Sequence, residues 1–241
     1  MSPVTYELKE NIGIITVNNP PVNALSQAVR QGLAECLEQG INDDGAEALI
    51  VTGGGRTFMA GADISEFGKP AKSPDLNSVI NAYEDSSKPT IAALHGTPLG
   101  GGLEVSMGCQ YRVADSKTML GLPEVKLGLL PGAGGTQRLP RLVGPELALE
   151  MIASGNPIPA KKALEEGLVE EVHETNSLEE LIEKTMVFAQ TIISKNTHPK
   201  TRERSEKVSN VSSDIFDNAI KKITPKLRGR EGPLRCIEAV R

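Results

Sequence analysis

Two glutamates, Glu104 and Glu124, and three consecutive glycines ahead of the first, Gly100, Gly101 and Gly102, are the residues whose types and spacing could do chemistry. A glutamate can both give and take a proton near neutral pH when its surroundings raise its pKa toward 7. Glycine lets the backbone approach a ligand closely. A helix N-terminus adds unpaired N–H groups and the positive end of a dipole. Glu104 lies three residues past Gly101, in the first turn of a predicted helix, and Glu124 follows Pro123 on a loop. Each glutamate also has a plainer reading: Glu104 as a helix-dipole partner, Glu124 as a surface charge.

The nucleotide-binding and serine-hydrolase readings of the glycine-rich segments fail on inspection. In Gly132-Ala133-Gly134-Gly135-Thr136-Gln137, Gln137 stands where a dinucleotide fingerprint needs its third glycine. Gly68-Lys69 is followed by Pro70, and Asp63 occupies the first-glycine position of a P-loop. The segment Glu104-Val105-Ser106-Met107-Gly108 lacks the first glycine of a nucleophile elbow. Asp63 reads as a turn or cap residue, His95 as structural, and Arg56 as a solvated loop arginine. Lys161, Lys162 and the charges of 200–208 read as solvated faces.

The elements that must carry these residues alternate between strand and helix. Residues 4–8 and 12–17 read as strands joined by a turn at Asn11–Gly13. Ser26 is the expected N-cap of a helix over 27–39, with Val29, Leu33, Cys36 and Leu37 on one face. Short strands are expected at 48–51, 90–94, 111–114 and 168–172, and helices from the glycine triplet through Cys109, at 146–154 and at 160–166. A long irregular stretch spans 52–75, the kind of loop that is usually functional. Residues 178–195 form a strongly amphipathic helix, and 196–241 are polar and helical, with breaks at Pro199, Pro225 and Pro233. Strand–helix alternation predicts an α/β core with an α-helical tail.

Composition narrows the classes further. The 241 residues include no Trp and 3% aromatics, which leaves no stacking platform for single-stranded nucleic acid. Net charge is −5, without the basic excess of a nucleic-acid binder. Cys36, Cys109 and Cys236 are odd in number and isolated, which argues against a disulfide framework or a cysteine zinc site. The N-terminus lacks a secretory signal pattern, and no run is long enough to span a bilayer.

Three segments then agree in order and spacing: RTFMAGADISEF (56–67), ALHGTPLGGGLEVSMGC (93–109) and GLPEVKLGLLPGAGGTQRLPRLVG (121–144). Together they resemble the crotonase (enoyl-CoA hydratase/isomerase) superfamily from about residue 10 to 175. The resemblance implies a spiral of β-β-α units with two roughly perpendicular sheets. It implies an acyl-CoA thioester substrate, an oxyanion hole made by the N–H groups of Ala60 and Gly101, and Glu104 and Glu124 as the acid/base pair. It also implies binding roles for Ala60, Gly61, Ala62, Asp63 and Gly100, with Gly132 starting a helix beside the catalytic water. No metal and no separate cofactor are implied, since CoA belongs to the substrate. The presence of both glutamates favours addition of water to 2-enoyl-CoA over isomerisation alone. An isomerase-dominant member and a non-catalytic CoA-binding module are the alternatives.

NNPPVNALS (18–26) and LRGREGPLRCIEAVR (227–241) resemble the multifunctional fatty-acid oxidation enzymes, in which a hydratase/isomerase part precedes a dehydrogenase part. The expected division is a hydratase/isomerase core over 1–190, and a helical segment over 191–241 that begins a linker to a dehydrogenase. Dehydrogenase and thiolase are then expected partners, NAD belongs with the dehydrogenase, and the oligomeric state is open. The expected compartment is bacterial cytoplasm or, alternatively, the peroxisome.

Overall fold

A computed structural model describes residues 2–66, 68–70, 72–195, 197–227 and 229–241, the side chain of Lys226 excepted. Phe67, the last residue of the first motif, and Arg228, in the closing segment, lie outside the described residues.

The chain opens with β1 (Val4–Lys9) and β2 (Ile12–Val17), an antiparallel hairpin pairing Val4 with Val17. The turn falls on Glu10 and Asn11, one step earlier than expected, with Glu10 at φ 56°. Gly13 sits inside β2 instead. A side chain there would begin 2.6 Å from the Tyr6 ring and 2.7 Å from Leu49, so the glycine makes room for packing, not for a turn. Ser26 caps α1 (Gln27–Asn42), its Oγ accepting from the Val29 N–H at 3.4 Å. The predicted face of Val29, Leu33, Cys36 and Leu37 is buried.

β3 (Ala48–Gly53) follows, then the 52–75 stretch, which holds one short 3-10 turn at Ile64–Glu66. α2 (Leu76–Glu84) was not anticipated. Its signals are Asp75, whose carboxylate accepts from the Ser78 N–H at 2.9 Å, and the buried set Val79, Ile80 and Tyr83. β4 (Thr90–Leu94), α3 (Gly101–Gly108) and β5 (Tyr111–Asp115) complete the middle of the chain. β6 (Met119–Leu120), α4 (Gly135–Val143), α5 (Pro145–Ser154), β7 (Ile158–Pro159), α6 (Ala160–Glu165) and β8 (Glu171–His173) follow. The last strand begins at Glu171, later than the expected 168. The Leu168 and Val169 N–H groups are both spent on the Ala163 carbonyl at the end of α6. The tail holds α7 (Leu178–Lys195), α8 (Asp214–Ile223) and α9 (Gly232–Val240). Pro233 opens α9 where a break was expected, because a first-turn position needs no N–H.

Six strands form one sheet in the order β1-β2-β3-β4-β5-β8, parallel from β2 onward. Both faces are covered, which is why β3, β4 and β5 are buried along their whole length. One face packs the main core. The other, with Ile12, Ile14, Ile50, Ile91 and Val113, receives Leu181, Phe188, Ala189 and Ile192 of α7. β6 and β7 make a separate antiparallel pair. Single-residue parallel bridges Leu25–Ala62, Ala60–Leu99 and Leu99–Gly121 lay the three sequence motifs side by side.

α8 and α9 fold back on α5, where Leu149 and Ala153 meet Phe216 and Ile237. Arg112, fully buried in β5, ties the sheet to the surrounding turns. It donates to the carbonyls of Leu168 and Cys109 at 2.7 and 2.8 Å and pairs with Glu170 at 2.7 Å. Arg112→Met strands those acceptors without a donor. It is expected to lower the unfolding free energy by about 3 kcal/mol or more, read as a lower urea midpoint. A midpoint within error of the parent would show that the arginine is replaceable there.

Candidate active site

The site forms where the bridged motif segments meet the start of α3. Gly100, at φ 55° and ψ −128°, turns the chain into that helix, and its N–H donates to the Gly121 carbonyl at 2.9 Å. Gly102 could hold no side chain, since a Cβ would lie 1.9 Å from the Met59 carbonyl oxygen. This contact presses the first motif against the helix start. Gly101 is the first residue of α3, ahead of the intrahelical ladder, so its N–H belongs to the group that helices leave unpaired.

The expected second amide donor needs correction. The Ala60 N–H donates to the Val22 carbonyl at 3.0 Å and is therefore spent within the fold. Ala62, two residues on, is exposed, and its N lies 3.8 Å from where a Gly101 side chain would begin. The first-motif amide that lies beside the helix start is therefore that of Ala62. Gly61, at φ 91°, allows the reversal between Ala60 and Ala62. Hydrogen bonds from the Ser65 hydroxyl and from the Ser65 N–H, the latter at 2.9 Å, hold the Asp63 carboxyl below the usual range.

Glu104 is buried, with 2% exposure. Its Oε1 accepts from the N–H groups of Ala133 and Gly135, each at 2.8 Å. Burial raises its pKa, while those two amides and the Arg138 charge pull it back down. Gly132 does not start a helix: α4 begins at Gly135, after a left-handed Gly134, and Gly132 is exposed. The left-handed Gly134, at φ 92°, keeps the helix from starting earlier, and the 133 and 135 amides on either side of it meet the Glu104 carboxylate.

Glu124 is half-buried beyond the other end of the glycine turn. Its Oε1 lies 3.0 Å from where a Gly100 side chain would begin, and its Oε2 is buried with no hydrogen-bond partner. Burial, and secondarily the charge on Glu104, push its pKa up to about 7. Burial thus shifts both carboxyls upward, against different sets of hydrogen bonds. Glu104 accepts from two amides of another loop, which favours its ionised form, whereas Glu124 is drawn down only by its own backbone N–H and its Oε2 has no partner. Such a divergence suits one group to accept a proton and the other to give one.

Cys236 of α9 is a site neighbour that the sequence reading missed. It is fully buried, and its thiol is pushed up to about 11 by burial and by the Glu124 charge. Gly232, at the start of the same helix, packs against Val125 and Gly128. Only the buried position of an isolated cysteine in a polar tail could have hinted at this. Arg56 lies outside the site, donating to the Pro21 carbonyl at 3.2 Å.

Residues 7–225 match the family described as enoyl-CoA hydratase/isomerase. A peroxisomal bifunctional enzyme of Danio rerio is 42% identical over 241 residues, covering 98% of this chain and 33% of that protein. A probable enoyl-CoA hydratase of Bacillus subtilis (strain 168) is 44% identical over 176 residues, covering 70% of this chain and 68% of that protein. The crystal structure of an enoyl-CoA hydratase from Bacillus anthracis superimposes with a TM-score of 0.73 at 32% identity, covering 94% of each chain. This chain spans about a third of the length of the bifunctional relatives it matches. No helix among the described residues is long and apolar enough to cross a membrane.

A carboxyl whose folded pKa is raised lends stability below its unfolded pKa and loses it as pH rises through the folded value. For Glu124 the loss falls between about 4.5 and about 7. Glu124→Gln is therefore expected to equal the parent in stability at low pH, to gain on it through that window, and to hold the gain above it. Urea denaturation at a series of pH values measures this. A parallel pH dependence in both proteins would contradict the assignment.

Proposed function

The chain belongs to the enoyl-CoA hydratase/isomerase family, and on that footing we propose that it adds water across the double bond of a 2-enoyl-CoA thioester to give the 3-hydroxyacyl-CoA. The observation that carries this reading is the pair of unlike carboxyls at one glycine turn, Glu104 held by two amides and Glu124 with a pKa of about 7.

In this reading the thioester oxygen sits between the N–H groups of Ala62 and Gly101. As water attacks C3, charge moves through the conjugated system onto that oxygen, and the two fixed amides meet it there. Removing one such donor typically costs about 2.7–4 kcal/mol of barrier. Ionised Glu104 takes a proton from the attacking water, the remaining hydroxyl bonds to C3, and protonated Glu124 delivers a proton to C2. One water is consumed, with its oxygen on C3 and a proton gained at C2. The exposed Leu127, Leu129 and Leu130 that follow Glu124 offer an apolar border for the acyl chain.

Isomerisation of 3-enoyl-CoA to 2-enoyl-CoA is proposed as a second activity of the same site, since a carboxyl with a pKa of about 7 can both remove and return a proton. From the resemblance of 18–26 and 227–241 to multifunctional fatty-acid oxidation enzymes, we further propose that the product passes to a dehydrogenation step, with NAD used there.

Loss of absorbance from the conjugated thioester of crotonyl-CoA follows hydration directly. Glu104→Gln is expected to cut hydration by roughly 10²–10⁴-fold, while leaving thioester binding within a few-fold. A folded parent protein without turnover on enoyl-CoAs of any chain length would refute the reading.

A further inference from the structure

Behind the loop that grips Glu104 lies a buried ion-pair network that the catalytic reading does not use. Arg138, 6% exposed in α4, donates from Nη2 to Glu84 at 2.7 Å and to Asn81 at 2.8 Å, both on α2. Its Nη1 turns the other way, donating to the Ala133 carbonyl at 3.4 Å. The same Nη1 lies 2.3 Å from where a Gly134 side chain would begin, so the guanidinium is packed flush under residues 133–135. Those are the residues whose amides bind the Glu104 carboxylate.

Glu84 is itself 1% exposed and is clamped from the tail. Its Oε1 accepts from the Arg202 N–H at 2.9 Å, and its Oε2 from the Arg202 guanidinium at 3.4 Å. Arg202 also pairs with Asp85, which Lys200 meets at 2.6 Å. Contacts thus run without a gap from residues 200–202 through α2 and α4 to the loop under Glu104.

We propose that Arg138 is a positioning residue for Glu104, fixing the 133–135 amides from beneath, with Glu84 as its anchor and Arg202 as the clamp on that anchor. The proposal rests on the hydratase reading for its kinetic consequence, but not for its geometry. A buried guanidinium held on two sides gives the loop one position. Without it, Glu104 loses both the fixed amides and a nearby positive charge.

The charged and titratable groups around Glu104 give the direction of the effect. Arg138 and the two amides favour its ionised form, and burial opposes it. Glu124 faces Glu104 from the third motif and feels its charge, and Cys236 of α9 stands behind Glu124. Beyond Arg138 lie Glu84, Asp85, Arg202 and Lys200. Removing the arginine charge therefore moves the ionisation of Glu104 to higher pH. If ionised Glu104 is the base, the acid limb of the hydration profile follows it.

The test is a double-mutant cycle with crotonyl-CoA, combining Arg138→Met with Glu104→Gln, together with pH–rate profiles and an isotope-edited infrared titration of Glu104. Arg138→Met is expected to lose roughly 10- to 100-fold in kcat, with the acid limb moved to higher pH. It should add little further loss in the Glu104→Gln background. Arg138→Lys should restore the limb and only part of the rate. Arg202→Ala should show the same limb shift in weaker form. If Arg138→Met does not fold, Arg138→Gln, which also removes the charge, carries the same comparison.

An unmoved acid limb, or losses that multiply fully in the Glu104→Gln background, would overturn the proposal. The infrared titration needs no turnover. An inactive parent whose Glu104 still titrates higher in Arg138→Met would refute the hydratase reading and keep the positioning role. An unmoved Glu104 titration would refute the positioning role whatever the activity.

Discussion

A carboxylate can be buried only if donors replace the water it gives up. Glu104 meets that condition with two backbone amides at 2.8 Å, and much of the neighbouring structure follows from it. α4 starts at Gly135, after a left-handed Gly134 that leaves the amides of 133 and 135 turned onto the acid. Gly135 must itself be small, since a side chain would begin 2.9 Å from the same oxygen. Across the glycine turn, Glu124 has only its own backbone N–H and an unpartnered Oε2, and it feels the charge that the loop amides stabilise on Glu104. The difference between the two acids thus arises from one loop.

The sheet brings that loop and its counterparts together. Parallel strands β2 to β5 place successive strand ends along one edge, where residues outside the sheet bridge in a row from Ala60 through Leu99 to Gly121. Three motifs spread over some ninety residues of chain become neighbours there. Gly102 sets how closely they sit, because its missing side chain is what lets the Met59 carbonyl reach the helix.

The parts of this arrangement governed by local chemistry were legible in the sequence. The strands expected at 48–51 and 90–94 appear as apolar runs because both their faces are buried. Ser26 announced the start of α1 because its cap bond spans only three residues. What depended on distant partners was not legible. Which first-motif amide is free turns on Val22, 38 residues before Ala60. β6 and β7, at two residues each, are too short to show a period. Cys236 reaches Glu124 only through the packing of the tail on α5, and nothing near Glu84 in the chain points to Arg138 and Arg202 closing around it. Residues 191–241 read as a trailing segment, yet in the fold α9 borders the site.

The central claim is that two charge-coupled carboxyls ionise at different pH because two amides of a neighbouring loop hold one of them and not the other. Carboxyl carbon-13 resonances of the glutamate-labelled protein, assigned with Glu104→Gln and Glu124→Gln, measure this directly. The account predicts that Glu104 ionises first and that Glu124 titrates near 7, falling when Glu104 is replaced by glutamine. Both acids titrating together in the ordinary carboxylate range, with neither responding to loss of the other, would contradict it.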